Sequence, residues 1–567
     1  MVKVAKKNQI VARTSFSSRK RTSTKIWQAC LIGLFWCSFL FTIVIPPAVG
    51  ANRIAFSSGI FGEFYVSVAD LEVFAKSGTI TPSFAYYADR VSSKNLSKLR
   101  DLLNQSFDVD RVTASIFLDL AIGRQLTKEI SLIIDSPTKV SVPALKAAVI
   151  LAAAKPEGLT ILNVLRLYST KTLKLNTKQI IKAVDEATKI LADTERVFTT
   201  LAAEGKVEDS NNNSFDINTF KNLANSDSYK WRRESLAIES SNSRQTEGIV
   251  YLPLNQNQPA PLIIIAPGLN TDWRNFAYLA EHLASYGFGV AALNFPGTDA
   301  QRVSAVLSGL DTPPANNQWV EQPIIITHLL DKIKQKSQED LTWQGKLDLQ
   351  RVGIIGQSLG GYTAMAIAGA KVDWHHLKTE CRKLENPDRI NFNPALYWQC
   401  QGVKDSPPNT NLQDKRIVAA IAINPVTNPV FSQKSLNAFK SPLMMIAGDR
   451  DYFAPAISEQ LKPFTWLPEN DKYLVLVKNS THFSFINERE NNEIEPSSAT
   501  VGSDSTVARS YIKSLSVAFC QTYLARKEFK SYLTETYFQS ISKQQLPLNS
   551  LRSLNSDRLK ELINEQT

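Results

Sequence analysis

A chain of 567 residues is long enough for about three average domains and for a large buried core. Its 43% hydrophobic and 21% charged content is that of an ordinary globular protein. The net charge of +11 would suit a nucleic-acid binder, but eight basic residues (Lys3, Lys6, Lys7, Arg13, Arg19, Lys20, Arg21 and Lys25) precede residue 26 with no acidic residue among them. The remainder carries only +3, so the nucleic-acid reading loses its main support.

Residues 1–50 read as a targeting unit. The basic start runs into an uncharged apolar stretch at 26–45, then into Pro46-Pro47-Ala48-Val49-Gly50-Ala51, whose small residues suit a signal peptidase. This is the layout of an export signal. The apolar stretch also approaches the roughly 20 residues that span a bilayer, so an uncleaved N-terminal anchor is the competing reading. Both predict a periplasmic or extracellular protein whose membrane association, if any, runs through this segment. Arg19-Lys20-Arg21 lacks an adjacent arginine pair and gives little support to a twin-arginine route.

Residues 51–200 show apolar positions at helical spacing, and Ser67-Val68-Ala69-Asp70 resembles a capping box, so an all-helical domain is predicted. Residues 201–227 include the polar run Asp209-Ser210-Asn211-Asn212-Asn213-Ser214 and read as a linker. Over 228–540 the period changes. Buried-strand runs at 262–266, 289–293, 352–355, 418–423, 443–447 and 474–477 alternate with helical patterns at 276–286, 321–336 and 363–369. Antiparallel strands at 231–239 and 248–252 would open this region, and a helix at 507–529 would close its last crossover. The pattern predicts an α/β class protein with a mostly parallel eight-stranded sheet covered by helices on both faces. Residues 371–416 interrupt the alternation as an insertion, and 541–567 read as a C-terminal tail or helix.

In open parallel sheets the chemistry lies at the carboxyl ends of the strands. The run ending at Ile355 continues into Gly356-Gln357-Ser358-Leu359-Gly360 and then a helical pattern, which is the strand–turn–helix context of a nucleophile elbow. A serine hydroxyl needs a base to take its proton. Of five histidines, His282 and His328 fall inside helical patterns and His375 and His376 in the inserted segment, whereas His482 follows a strand. The base needs a carboxylate on a strand end between the two, and Asp451 is preferred over Asp449, the latter being a loop carboxylate that could pair with Arg450. Backbone N–H groups of Leu359 and Leu269 are the candidate oxyanion donors, with Gly268, Gly356 and Gly360 permitting the close turns.

Of five cysteines, Cys30 and Cys37 belong to the export segment and Cys520 to an apolar helix. Cys381 and Cys400 are either a disulfide, which an oxidising compartment permits, or two unrelated thiols. Trp374, Leu396, Tyr397 and Trp398 either line an acyl pocket or anchor the insertion. No metal or cofactor is called for by these residues.

The elbow, Ala266-Pro267-Gly268-Leu269-Asn270, residues 276–288 and Ser480-Thr481-His482-Phe483-Ser484 resemble the dienelactone-hydrolase and platelet-activating-factor-acetylhydrolase branch of the α/β-hydrolases over residues 245–490. Ala266-Pro267-Gly268 departs from the Ser-His-Gly common in that branch. Residues 67–75 and 147–154 resemble a domain of unknown function at the N-terminus of secreted bacterial α/β-hydrolases. The resemblance implies an esterase acting on short-acyl or lipid-like esters. A peptidase, a polyester depolymerase, a carbon–carbon hydrolase or a non-catalytic lipid- or partner-binding envelope protein are the other readings this scaffold allows.

Overall fold

The computed structural model describes residues 50–57, 63–107, 109–210, 220–239, 245–254, 256–313, 316–386, 390–403, 411–469, 471–487 and 504–564. The predicted export signal or anchor therefore lies outside the described residues. Among those described, no helix is long and apolar enough to cross a membrane.

The larger part of the chain is built on one sheet with strands β1 (Trp231–Glu239), β2 (Gln245–Pro253), β3 (Ala260–Ala266), β4 (Gly289–Leu293), β5 (Leu347–Gln357), β6 (Ile417–Ile423), β7 (Leu443–Gly448), β8 (Lys472–Val477) and β9 (Leu548–Leu551). Their spatial order is β1-β2-β4-β3-β5-β6-β7-β8-β9. Neighbours from β4 to β8 pair in parallel, whereas β1, β2 and β9 pair antiparallel. Every residue of β3, β4, β7 and β8 is buried, because helices cover both faces of the sheet and leave no polar side for a strand to present. This order, with an antiparallel second strand and a crossover that places β3 between β4 and β5, is the α/β-hydrolase fold.

The sheet has nine strands where eight were predicted. The extra strand, β9, lies in the segment read as a tail, and it pairs with β8. Its polar centre hid it: Asn549 Nδ2 donates to Glu535 Oε1 at 2.8 Å and Ser550 N to Glu535 Oε2 at 2.5 Å, so polar residues are buried in a strand with their partners supplied by a neighbouring helix. The closing helix is shorter than its apolar pattern, Ser505–Tyr523.

The N-terminal domain is not all-helical. Strand Arg53–Ser57 pairs antiparallel with Glu63–Ser67 and parallel with Thr172–Leu175, and Ser106–Phe107 pairs with Leu159–Thr160. These strands are two to five residues long, too short to show a period of two beside the dominant helical one. Ser67 caps helix Val68–Ser77 by accepting from Ala69 N, but Asp70 does not complete a capping box; its carboxylate accepts from the hydroxyls of Thr81 and Ser83 at 2.8 and 2.7 Å. The domain has two small cores rather than one, the first around Ile54, Leu71, Phe74 and Phe84 and the second around Ile134, Leu145, Ala148 and Leu173.

Of the stretch read as a linker, residues 201–210 and 220–227 are described, and the centre of its polar run lies outside the described residues. Helix Thr177–Ser210 runs through the first part of it, burying Val197, Phe198 and Leu201 in the core of the large sheet. Leu223 is fully buried, and its carbonyl lies 2.9 Å from His282 Nε2. Burial lowers the His282 imidazole to about 4, so it is held neutral against that carbonyl. Arg196 Nε donates to the Leu562 carbonyl at 2.8 Å and Arg558 pairs with Glu204 at 2.7 Å, tying the long helix to the final helix Ser556–Asn564.

The long helix reaches β9 at Gly205, where a Cβ would stand 2.4 Å from the Ser550 carbonyl oxygen. Gly205→Val is therefore expected to lower stability by about 1–3 kcal/mol through forced separation of helix and strand. Urea unfolding of this variant beside the exposed-site control Lys206→Ala measures the difference.

Candidate functional site

The site is assembled where β5 gives way to helix Leu359–Ile367. Ser358 sits between them at φ 57° and ψ −120°, a conformation that favours glycine and that a serine holds only when the surroundings impose it. Its amide donates to the Ile423 carbonyl at 2.9 Å. A Cβ at Gly356 would lie 1.9 Å from the Gly360 carbonyl oxygen, and one at Gly360 would lie 2.0 Å from that of Ala266. No side chain fits at either glycine.

Ser358 Oγ lies 2.8 Å from His482 Nε2, and His482 Nδ1 lies 2.7 Å from Asp451 Oδ2. The other Asp451 oxygen accepts from Phe453 N at 3.0 Å and Ala454 N at 2.7 Å. Those amide donors fix the carboxylate and leave Oδ2 to the imidazole, so Nδ1 carries the hydrogen and Nε2 faces the hydroxyl as an acceptor. Asp449 is not in this row. It accepts from Asn479 N at 2.6 Å rather than serving Arg450, and burial pushes its carboxyl up to about 6. The other histidines stay apart: His328 and His375–His376 lie on helices Gln318–Glu339 and Trp374–Arg382.

Leu359 is the first residue of its helix, so its N–H has no intrahelical acceptor. Leu269 stands in the turn after β3, which is pinned by Asn270 N donating to the Thr298 carbonyl at 2.8 Å and by Thr271 Oγ1 donating to the Gly268 carbonyl at 2.9 Å. A Cβ at Gly268 would fall 3.0 Å from Ser358 Cβ, so this glycine brings the turn against the elbow.

Several residues with no sequence signal hold these parts in register. Gln322 Nε2 donates to Thr298 Oγ1 at 2.9 Å while its Oε1 accepts from Thr363 Oγ1 at 2.7 Å, bridging the turn's support to the elbow helix. Gln357 Nε2 donates to the His482 carbonyl at 3.0 Å and Asn424 Nδ2 to the Thr481 carbonyl at 3.2 Å. Glu459 accepts from Thr427 N at 2.8 Å, Asn428 N at 3.1 Å, Asn393 Nδ2 at 2.6 Å and Gln399 Nε2 at 3.2 Å. Asn393 and Gln399 belong to the insertion, so one buried carboxyl joins the insertion to the loop after β6.

Cys381 and Cys400 are bonded, with their Cα atoms 5.6 Å apart, and clamp helix Trp374–Arg382 to helix Pro394–Gly402. The four aromatic and apolar residues singled out in the insertion divide. Trp398 lines a cavity of about 300 Å³ together with Leu269, Trp319 and Phe453, while the Tyr397 hydroxyl donates to Glu129 Oε1 at 2.9 Å and Trp374 packs on the main core. Leu396 is half-buried on the same helix as Trp398.

One wall of that cavity was not foreseen. Phe117, Leu120 and Ile122 of the N-terminal domain line it, so two domains enclose a space that begins at the Leu269 turn. Ser358 and His482 themselves are only 3% and 4% exposed.

A family model described as "Alpha/beta hydrolase of unknown function (DUF1400)" matches residues 50–176. The chain carries an α/β-hydrolase fold. The matched stretch is the N-terminal domain that roofs the cavity. No curated protein matches the chain.

Burial raises the Glu459 carboxyl to about 7. The folded protein then holds this proton more tightly than the unfolded chain, so the contribution of this group to stability falls as pH rises from about 4.5 to 7. Thermal melts across this range should show Glu459→Gln losing less stability with rising pH than the parent protein; parallel curves would remove Glu459 as the titrating group.

Proposed function

We propose that this protein is a serine hydrolase that cleaves carboxylic esters of apolar, short-acyl or lipid-like acids. The observation that carries the reading is the continuous row from Asp451 Oδ2 through His482 to Ser358 Oγ, at 2.7 and 2.8 Å.

His482 Nε2 takes the Ser358 proton as Oγ attacks the ester carbonyl carbon, and Asp451 stabilises the imidazolium that forms. The tetrahedral oxyanion accepts from Leu359 N–H and Leu269 N–H, each donor worth about 3 kcal/mol in the transition state. His482 gives its proton to the departing alcohol, leaving an acyl group on Ser358. Water, deprotonated by the same nitrogen, releases the acid and restores the serine. Every step uses groups of this chain and no cofactor.

The acyl group would lie in the cavity lined by Phe117, Leu120, Trp319, Trp398 and Phe453. Its volume of about 300 Å³ is at the small end of ligand pockets, which favours a short acid over a long one. Likeness to acetylhydrolases points the same way. The protein would work outside the cytoplasm: residues 1–50 have the layout of an export signal, and the Cys381–Cys400 bond is of a kind that oxidising compartments preserve.

Nitrophenyl esters of increasing chain length measure this directly. We expect kcat/KM to be highest for acetyl to butyryl esters and to fall for palmitoyl, with Ser358→Ala losing about 10⁴-fold or more. Asp451→Asn should lose about 10³–10⁴-fold, whereas Asp449→Asn should stay within about tenfold of the parent. Equal activity in Ser358→Ala overturns the mechanism, and inactivity of the folded protein on every ester favours a binding role.

A further inference from the structure

A larger cavity has no part in the chemistry above. It lies wholly within the N-terminal domain, measures about 700 Å³, and is lined by residues of both small cores, including Ile54, Phe84, Leu103, Ile134, Leu145 and Leu173. The side chains that would fill the centre of an ordinary domain here face a space instead.

The wall defines the chemistry of what it takes. Among the described residues that line it none is charged. Three lining residues bear hydroxyls: Tyr87 donates to the Tyr65 carbonyl at 2.9 Å, Thr160 accepts from Asn163 N at 3.1 Å as the cap of helix Ile161–Leu167, and Tyr168 is buried, which pushes its hydroxyl above the ordinary pKa. A space with so few polar partners is a poor site for ordered water, and its volume falls within the roughly 300–1,000 Å³ of ligand pockets. The lining residues Val91, Leu102, Phe107, Ile130 and Ile161 are 38–51% exposed, so the cavity meets solvent through an apolar rim rather than a polar one. Contiguous exposed apolar surface of this kind marks a place where something apolar enters.

We infer that the N-terminal domain binds a long hydrocarbon chain of the fatty-acyl class, with the chain inside the cavity and any polar head left at the rim. A hydrocarbon matches a wall that offers packing and almost no hydrogen bonds, whereas a sugar, nucleotide or peptide would bury its polar groups without partners. The site is separate from the cavity beside Leu269, although both touch helix Ala121–Leu132: Ile122 faces the latter, and Ile130, about 12 Å further along the axis, belongs to the acyl-binding rim. The inference does not rest on the esterase reading.

The test uses the full chain carrying Ser358→Ala, so that no turnover enters. Fluorescence titration with cis-parinaric acid should show saturable binding, weakened at least tenfold when Ala88→Phe and Val164→Phe fill the cavity and unchanged by Leu120→Trp beside Leu269. The filled variant should melt no lower than its parent. As a second measurement, residues 50–176 contain no tryptophan, so Leu99→Trp places a reporter in the wall. Dibromostearate should quench the added emission if the chain enters this cavity, even if the filled variant folds poorly. Sedimentation with phosphatidylcholine vesicles separates two sources of the same chemistry: vesicle binding lost in the filled variant indicates a membrane lipid's tail, and parinarate binding without vesicle binding a free acid. Absence of saturable binding, binding lost only in Leu120→Trp, or an unquenched reporter would overturn the proposal.

Discussion

Two backbone turns meet at Ser358 with no space between them. The turn after β3 and the elbow after β5 approach so closely that side chains at Gly268, Gly356 or Gly360 would collide with Gln357, with the Gly360 carbonyl or with the Ala266 carbonyl respectively. This contact holds Ser358 at positive φ, directs its hydroxyl toward His482 and sets Gly268 against Ser358. Everything else in the larger domain serves that meeting. The parallel sheet brings both turns to one edge, Gln322 ties their supports together, and the Asp451 loop is held by two of its own amides so that one carboxylate oxygen stays free for the imidazole.

Local signals made the site's centre legible in the sequence. The elbow is a strand, a glycine-flanked turn and a helix in unbroken succession, and Asp451 and His482 each follow an apolar strand run, so chain order alone brought out the set. Their supports were hidden for a common reason. Gln322, Glu459 and Asn424 act through partners 32 to 60 residues away, such as Thr363, Thr427, Gln399 and Thr481, and nothing in their immediate neighbourhood distinguishes them from ordinary polar residues. The ninth strand was hidden by the opposite effect, polar residues buried with a distant carboxylate as partner.

The N-terminal domain was the least legible part. Its helical period was plain, but its strands are too short to compete with that period, and its contribution to the cavity beside Leu269 depends on how two domains pack. Phe117 and Leu120 look in sequence like helix-face residues bound for a bundle core. In the structure they form a wall for a pocket belonging to the other domain, while the bundle's own centre remains a cavity. The domain that roofs the pocket beside Leu269 thus also holds an apolar space larger than that pocket, and one helix touches both.

The central claim is that Ser358 is a nucleophile activated by His482. Intact-mass measurement after treatment with a fluorophosphonate, followed by peptide mapping, tests it most directly. The account predicts one adduct per chain, located at Ser358, with its rate of formation falling at least a hundredfold in His482→Ala. An adduct at another residue, or labelling of Ser358 at an unchanged rate without the histidine, would contradict it.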